Sequence, residues 1–171
     1  MAEITLPATL TEIEGHAFRD CASLAVVTLP PALAEIERHA FQGCTSLAEI
    51  TLPATLTEIG RWAFEGCTSL AEITLPPALT EIGLCAFQGC TSLTEITLPP
   101  DFTAIGSKSF VGCSSLTEIT LPTATLTDIG LCAFQDCTSL AEMTRPPQHI
   151  TIGSEAFAAP ASPRQHEPPQ S

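Results

Sequence analysis

Phenylalanine returns with a fixed period: Phe18, Phe41, Phe64, Phe87, Phe110, Phe134 and Phe157 are separated by 23, 23, 23, 23, 24 and 23 residues. Cys21, Cys44, Cys67, Cys90, Cys113 and Cys137 follow the first six of them three residues later. A period of this length that survives a one-residue insertion marks a repeat architecture, in which one supersecondary unit is copied and stacked. The extra residue falls in Pro122-Thr123-Ala124-Thr125. An insertion there, between a strand and the next coil, should bulge a loop and leave the register intact.

Within one unit, Cys67-Thr68-Ser69-Leu70-Ala71-Glu72-Ile73-Thr74-Leu75-Pro76, the apolar Ile73 and Leu75 alternate with Glu72 and Thr74. That alternation is the period of a half-buried strand. Pro76 has no N–H to give to a ladder and ends it. A second short apolar segment follows, Leu79-Thr80-Glu81-Ile82-Gly83, and then Ala86-Phe87, read as a short helical or 3-10 turn with its Phe inward. Gly43, Gly66, Gly89 and Gly112, with Asp20 and Asp136, stand immediately before the Cys, where a left-handed backbone would reverse the chain. A 23-residue unit cannot bury both its faces alone, but stacking places Ile73 between Ile50 and Ile96. The expectation is a β-rich solenoid of about seven coils over residues 1–157, the first and last incomplete. Its strands form a parallel sheet with right-handed connections. Residues 158–171, rich in Pro and without large apolar side chains, read as a disordered tail.

Hydrophobic residues make up 44% of the 171, enough for a packed interior, while aromatics are only 5%, so that interior must be aliphatic apart from the Phe column. A net charge of −13 with only six Lys and Arg argues against nucleic acid and against an anionic membrane surface as partners. No apolar run approaches a membrane span, and no secretory signal precedes the first repeat. That absence, with unpaired cysteines, favours a cytoplasmic location over the cell surface or secretion.

Eight Cys could suggest disulfides or a metal, but six lie in one repeat column. Rungs about 4.8 Å apart hold parallel side chains beyond the Cβ separation a disulfide prefers, so buried, reduced thiols are expected. Cys85 and Cys132 share another column two coils apart and cannot hold one ion; no CxxC pair exists, so no metal or other cofactor is expected. The column His16, His39, Trp62, Cys85, Lys108, Cys132 and Glu155 tolerates many residue types, which points to an exposed position. No column assembles a nucleophile, base and orienting acid, and the glycines form no phosphate loop. An enzyme is not expected.

The unit Leu-x-x-Ile-x-Leu resembles the leucine-rich-repeat strand signature, and Ala-Phe-x-Gly-Cys-x-Ser-Leu resembles the BspA-like subclass over residues 2 to about 157. Where other leucine-rich repeats have Asn or Cys after the strand, this chain has Pro-Ala-Thr or Pro-Pro-Ala. The resemblance implies a protein-binding or adhesive role and no particular partner.

The residues that could carry such binding face outward from the strands: Glu49 and Thr51, Glu72 and Thr74, Glu95 and Thr97, Glu118 and Thr120, then Glu142 and Thr144, with Glu3 and Thr5 ahead of them. Val26 interrupts the Glu column, and a second acidic column runs through Glu12, Glu35, Glu58, Glu81 and Asp128. Copied repeats inherit such columns for solubility alone; read functionally, they form an acidic surface for a basic or cation-bearing protein ligand. The reading is a non-enzymatic protein–protein interaction module. The alternatives are a structural spacer or fragment of a longer array, and an adhesin-like surface protein without its signal sequence. The first strand leaves Ile4 and Leu6 without a cover, which adds end-to-end self-association as an expectation.

Overall fold

A computed structural model describes residues 2–143 and 149–158. The expected tail and the end of the last long strand, with Thr144 and Arg145, lie outside the described residues. The described coils place strands, or in one coil a strand and an isolated bridge, on two different sides of the stack. The longer ones are Ala2–Thr5, Leu24–Thr28, Glu49–Ile50, Glu95–Thr97, Glu118–Thr120 and Glu142–Met143. The coil between Glu49 and Glu95 joins this side through a single bridge from Glu49 to Glu72. The second side is built from two-residue strands, of which Glu12–Ile13, Glu35–Ile36 and Glu58–Ile59 make one sheet, and Glu81–Ile82, Ala104–Ile105, Asp128–Ile129 and Thr151–Ile152 another. The pairings are parallel and, apart from a register shift at Ala2, link equivalent repeat positions, as in Ile96 to Ile119 and Ile105 to Ile129.

The third side differs from the expected helical turn: no described residue is helical. Successive i to i+3 bonds do form, from Ala17 N–H to the Glu14 carbonyl, from Arg19 to His16 and from Cys21 to Phe18. Helix cannot propagate, because His16 and Asp20 have φ of 65° and 58°, and their equivalents are left-handed in the other coils. A left-handed residue at the third position of a turn is the type II geometry, so the side is a chain of turns. The Gly/Asp position before each Cys is therefore left-handed as expected. The column beginning at His16 is left-handed too, without a glycine to announce it.

The three sides close on an aliphatic core. Ile36, Ile59, Ile105 and Ile129 enter from the short strands, Leu47, Leu70, Leu93 and Leu116 from the segment after Cys, and Phe41, Phe64, Phe87, Phe110 and Phe134 from the turns, all essentially without solvent contact. Adjacent Phe rings stack with centroids 5.2–5.5 Å apart and interplanar angles of 1–8°. From Cys44 onward the ladder thiols donate across the coil boundary to a Phe carbonyl, among them Cys67 Sγ to Phe41 O, Cys90 to Phe64 and Cys113 to Phe87, these three at 3.2 Å. All eight cysteines are free, and Cys21, with no coil beneath it, is exposed. The insertion behaves as expected. Thr125 Oγ1 anchors the loop to Pro100 O at 2.6 Å and Phe102 O at 2.9 Å, and Phe110 and Phe134 remain stacked across it.

Candidate functional site

On the long-strand side the alternation turns Ile inward and Glu and Thr outward. Glu49, Glu72, Glu95 and Glu118 are exposed, as are Thr51, Thr74, Thr97 and Thr120, so the structure brings these expected residues onto one face. Glu118 pairs in register with Glu95 on one side and Glu142 on the other, and Thr120 with Thr97. Val26, 42% exposed, pairs with Glu3 and Glu49 and breaks the carboxylate line at the second coil.

The face also has relief that the alternation did not reveal. A trough of about 430 Å³ runs between Glu72, Thr74, Glu95 and Thr97 on one wall and Pro77 and Pro100 on the other. A second, of about 380 Å³, lies between Val26, Glu49 and Thr51 and the prolines Pro31 and Pro53. The prolines were legible only as strand terminators. Pro31, Pro77 and Pro100 share one step, directly after the strand-ending proline, which is Ala8, Ala54 and Thr123 in other coils, and that partial recurrence was the available sign of a common lining role. Each trough thus offers carboxylate and hydroxyl acceptors beside rigid apolar rings.

The second acidic column is electrostatically distinct. Glu12 is raised above the ordinary carboxylate range, first by its hydrogen bond with the Glu37 carboxyl, then by partial desolvation and the neighbouring Glu37, Glu35 and Glu14 charges. Glu35 is raised by desolvation, then by repulsion from Glu58 and Glu37. The five carboxylates crowd the first three coils because Glu14 and Glu37 occupy a position that is glycine in every later coil.

The column read as uniformly exposed is mixed. His16, Lys108 and Glu155 are exposed, His39 and Trp62 half-buried, and Cys85 and Cys132 buried. The left-handed turn directs these side chains along the stack, where neighbours cover one another. The His16 and His39 rings lie 4.7 Å apart and His39 and Trp62 4.8 Å apart, all stacked. Parallel imidazoles at that spacing cannot converge on one ion, and among the described residues no group of His, Cys, Asp and Glu is arranged to hold a metal. Among the described residues no helix is long and apolar enough to cross a membrane.

A stack of 23-residue coils with paired parallel strands, a Phe spine and a polar strand face defines a leucine-rich-repeat solenoid. Residues 1–87 and 67–162 match the family model described as BspA type leucine rich repeat region, in 6 copies, and the chain belongs to that family. The crystal structure of the T. pallidum leucine rich repeat protein TpLRR superposes with a TM-score of 0.84 at 36% identity, over 88% of this chain and 72% of that one. A leucine-rich repeat protein from Eubacterium ventriosum ATCC 27560 gives a TM-score of 0.81 at 27% identity, over 96% of this chain and 44% of that one. The chain thus spans less than half of the Eubacterium protein. A search of curated proteins returns no significant match. Leucine-rich-repeat proteins generally mediate protein–protein interaction or adhesion and are non-enzymatic.

Proposed function

We propose that this chain is a protein–protein interaction module whose partner docks on the Glu/Thr face, with basic side chains beside the carboxylates and apolar ones against the prolines. The observation that carries this reading is the run from Glu49 to Glu118, exposed in consecutive coils and flanked by a proline-walled trough. A net charge of −13 disfavours nucleic acid and anionic membranes and supports a cationic partner. Electrostatic complementarity of this kind governs encounter and specificity, and it weakens with salt.

Binding of a Lys-rich peptide to the parent chain and to the variant with Glu49, Glu72, Glu95 and Glu118 all replaced by Gln tests the reading. The variant should retain its fold and bind at least about tenfold more weakly at low salt, with most of the difference gone at high salt. One observation favours the spacer reading instead: Val26 shows that the carboxylate line tolerates interruption. Equal peptide binding by parent and variant would make the acidic face a solubility feature and leave the spacer.

A further inference from the structure

Every boundary between successive coils contains one glycine at the place where the backbones come closest. The upper coil contributes the residue directly after the buried Ile of its short strand, and the lower coil contributes the next position along. The pairs, upper over lower, are Glu37 over Gly15, Gly60 over Arg38, Gly83 over Arg61, Gly106 over Leu84, Gly130 over Ser107 and Gly153 over Leu131. In five of the six pairs the glycine is above. A Cβ at Gly60 would lie 2.6 Å from the Arg38 nitrogen, at Gly83 2.9 Å from the Arg61 nitrogen, and at Gly106 2.5 Å from the Ile82 oxygen. Gly130 and Gly153 meet the backbone beneath them as closely. These are main-chain atoms that cannot step aside without breaking the ladder. None of the five glycines has a positive φ, so close approach alone requires them.

The remaining boundary, between the first two coils, shows a different solution. Glu37 carries a Cβ, and the glycine has moved to the lower coil, where Gly15 donates its N–H to Glu37 Oε2 at 2.6 Å. A Cβ at Gly15 would meet that oxygen at 3.1 Å and the Arg38 carbonyl at 3.2 Å.

Among the described residues the first and last coils hold one unmatched half of such a pair each. The lower face of the first coil presents Glu14, and the upper face of the last described coil presents Ser154. Among the described residues the Glu155 and Phe157 N–H groups and the Ile150 and Ile152 carbonyls meet no further coil. At the opposite end the Gly15 and Ala17 carbonyls and the Thr11 and Glu14 N–H groups stand equally unpaired. Phe157 is 38% exposed beside a cavity of about 390 Å³ lined by Phe134, Leu140 and Ala158, and Phe18, Leu6 and Leu10 line a cavity of similar size at the other end. A heterologous contact between two such faces would propagate as an open filament.

We infer that the two end faces are keyed by glycine: the upper face accepts a repeat coil with Gly directly after its buried short-strand Ile, and it refuses a second copy of this chain because Glu14 stands there. The mismatch of Glu14 over Ser154 puts a Cβ into main chain with no glycine on either side. This concerns the ends of the stack and is independent of the Glu/Thr face.

Sedimentation velocity over about a hundredfold range of concentration tests the key. The parent and Glu14→Ala should remain monomeric at 18.0 kDa, because alanine removes the charge and keeps the Cβ. Glu14→Gly and, separately, Ser154→Gly should assemble with concentration, at least doubling the weight-average mass. Adding Phe157→Asp to either should return it to monomer. Circular dichroism confirms that each variant is folded, and the two glycine variants lie at opposite ends, so both would have to misfold for the comparison to be lost. Assembly of the parent, assembly of Glu14→Ala to the same extent as Glu14→Gly, or monomeric behaviour of both glycine variants would overturn the key.

Discussion

Phe64 shows what one residue contributes to a stack. It is fully buried, with Phe41 on one face and Phe87 on the other at 5.4 and 5.3 Å. Removing a side chain of that size from the middle of a core costs about 3–5 kcal/mol, through lost transfer energy and the cavity left behind. Phe157 has a ring on one side only and is 38% exposed, so Phe157→Ala should cost well under half as much in the same denaturant titration. Equal losses would mean that the column does not act as a continuous spine. At this scale the sequence was informative wherever a residue type recurred, because Phe and Cys are chosen by volume and burial, and both columns lie where expected. It was silent where backbone conformation was imposed on whatever residue stood there. His16, Trp62 and Lys108 share a left-handed φ of 57–65°, and nothing in imidazole, indole or ammonium announces it. The glycines after the short-strand Ile were visible, but their reason lies in the adjacent coil and not in their own turn.

At the scale of the element, the two-residue strands Glu12–Ile13 and Glu35–Ile36 place Glu12 and Glu35 side by side in register. Both carboxyls are raised, Glu12 chiefly through its bond with Glu37 and Glu35 chiefly through desolvation. A carboxyl whose folded pKa lies above its unfolded value binds protons more readily in the folded state. Its favourable contribution is complete below the unfolded value near 4.5 and is lost as pH rises through the folded one. Lowering the pH from neutrality into the carboxylate range should therefore raise the melting temperature, and Glu35→Gln should reproduce part of that gain at neutral pH. A melting temperature that falls steadily from pH 7 to pH 5, and no gain from Glu35→Gln, would show that other groups dominate. The acidic columns were legible as columns. The Glu12–Glu37 contact was not, because it joins different positions of two coils and breaks the repeat's own symmetry.

Across the whole molecule the thiols set an alkaline limit. Burial pushes Cys44 up to about 11 and Cys137 to about 12, and raises Cys67, Cys90 and Cys113 further. Unfolded thiols ionise near 9, so above that pH the unfolded chain sheds protons that the folded chain keeps, and stability must fall. The ladder predicts a melting temperature that declines progressively from about pH 9 upward, and replacing Cys67 and Cys90 with Ala should flatten the decline. A thiol reagent at neutral pH should modify Cys21 quickly and Cys44, Cys67 and Cys90 slowly, and full reaction of all eight in native protein would contradict the burial. The fold at this scale was legible almost in full, because period and insertion together specify a stack. What the period could not supply was the shape of the third side and the proline-lined troughs, since the first follows from a left-handed backbone that no residue type announces and the second from residues of adjacent coils meeting.

Equivalent residues of neighbouring coils pair in register, as Glu95 with Glu118, Ile96 with Ile119 and Thr97 with Thr120. That pairing repeats the outward Glu and Thr once per coil, so the proposed docking position at Glu49 is offered again at Glu72, Glu95 and Glu118. A ligand that spans a few coils then has several equivalent seats and can shift by one without losing contacts. For the proposed partner such a surface would be a track, on which occupancy grows with the number of coils and no single carboxylate is indispensable.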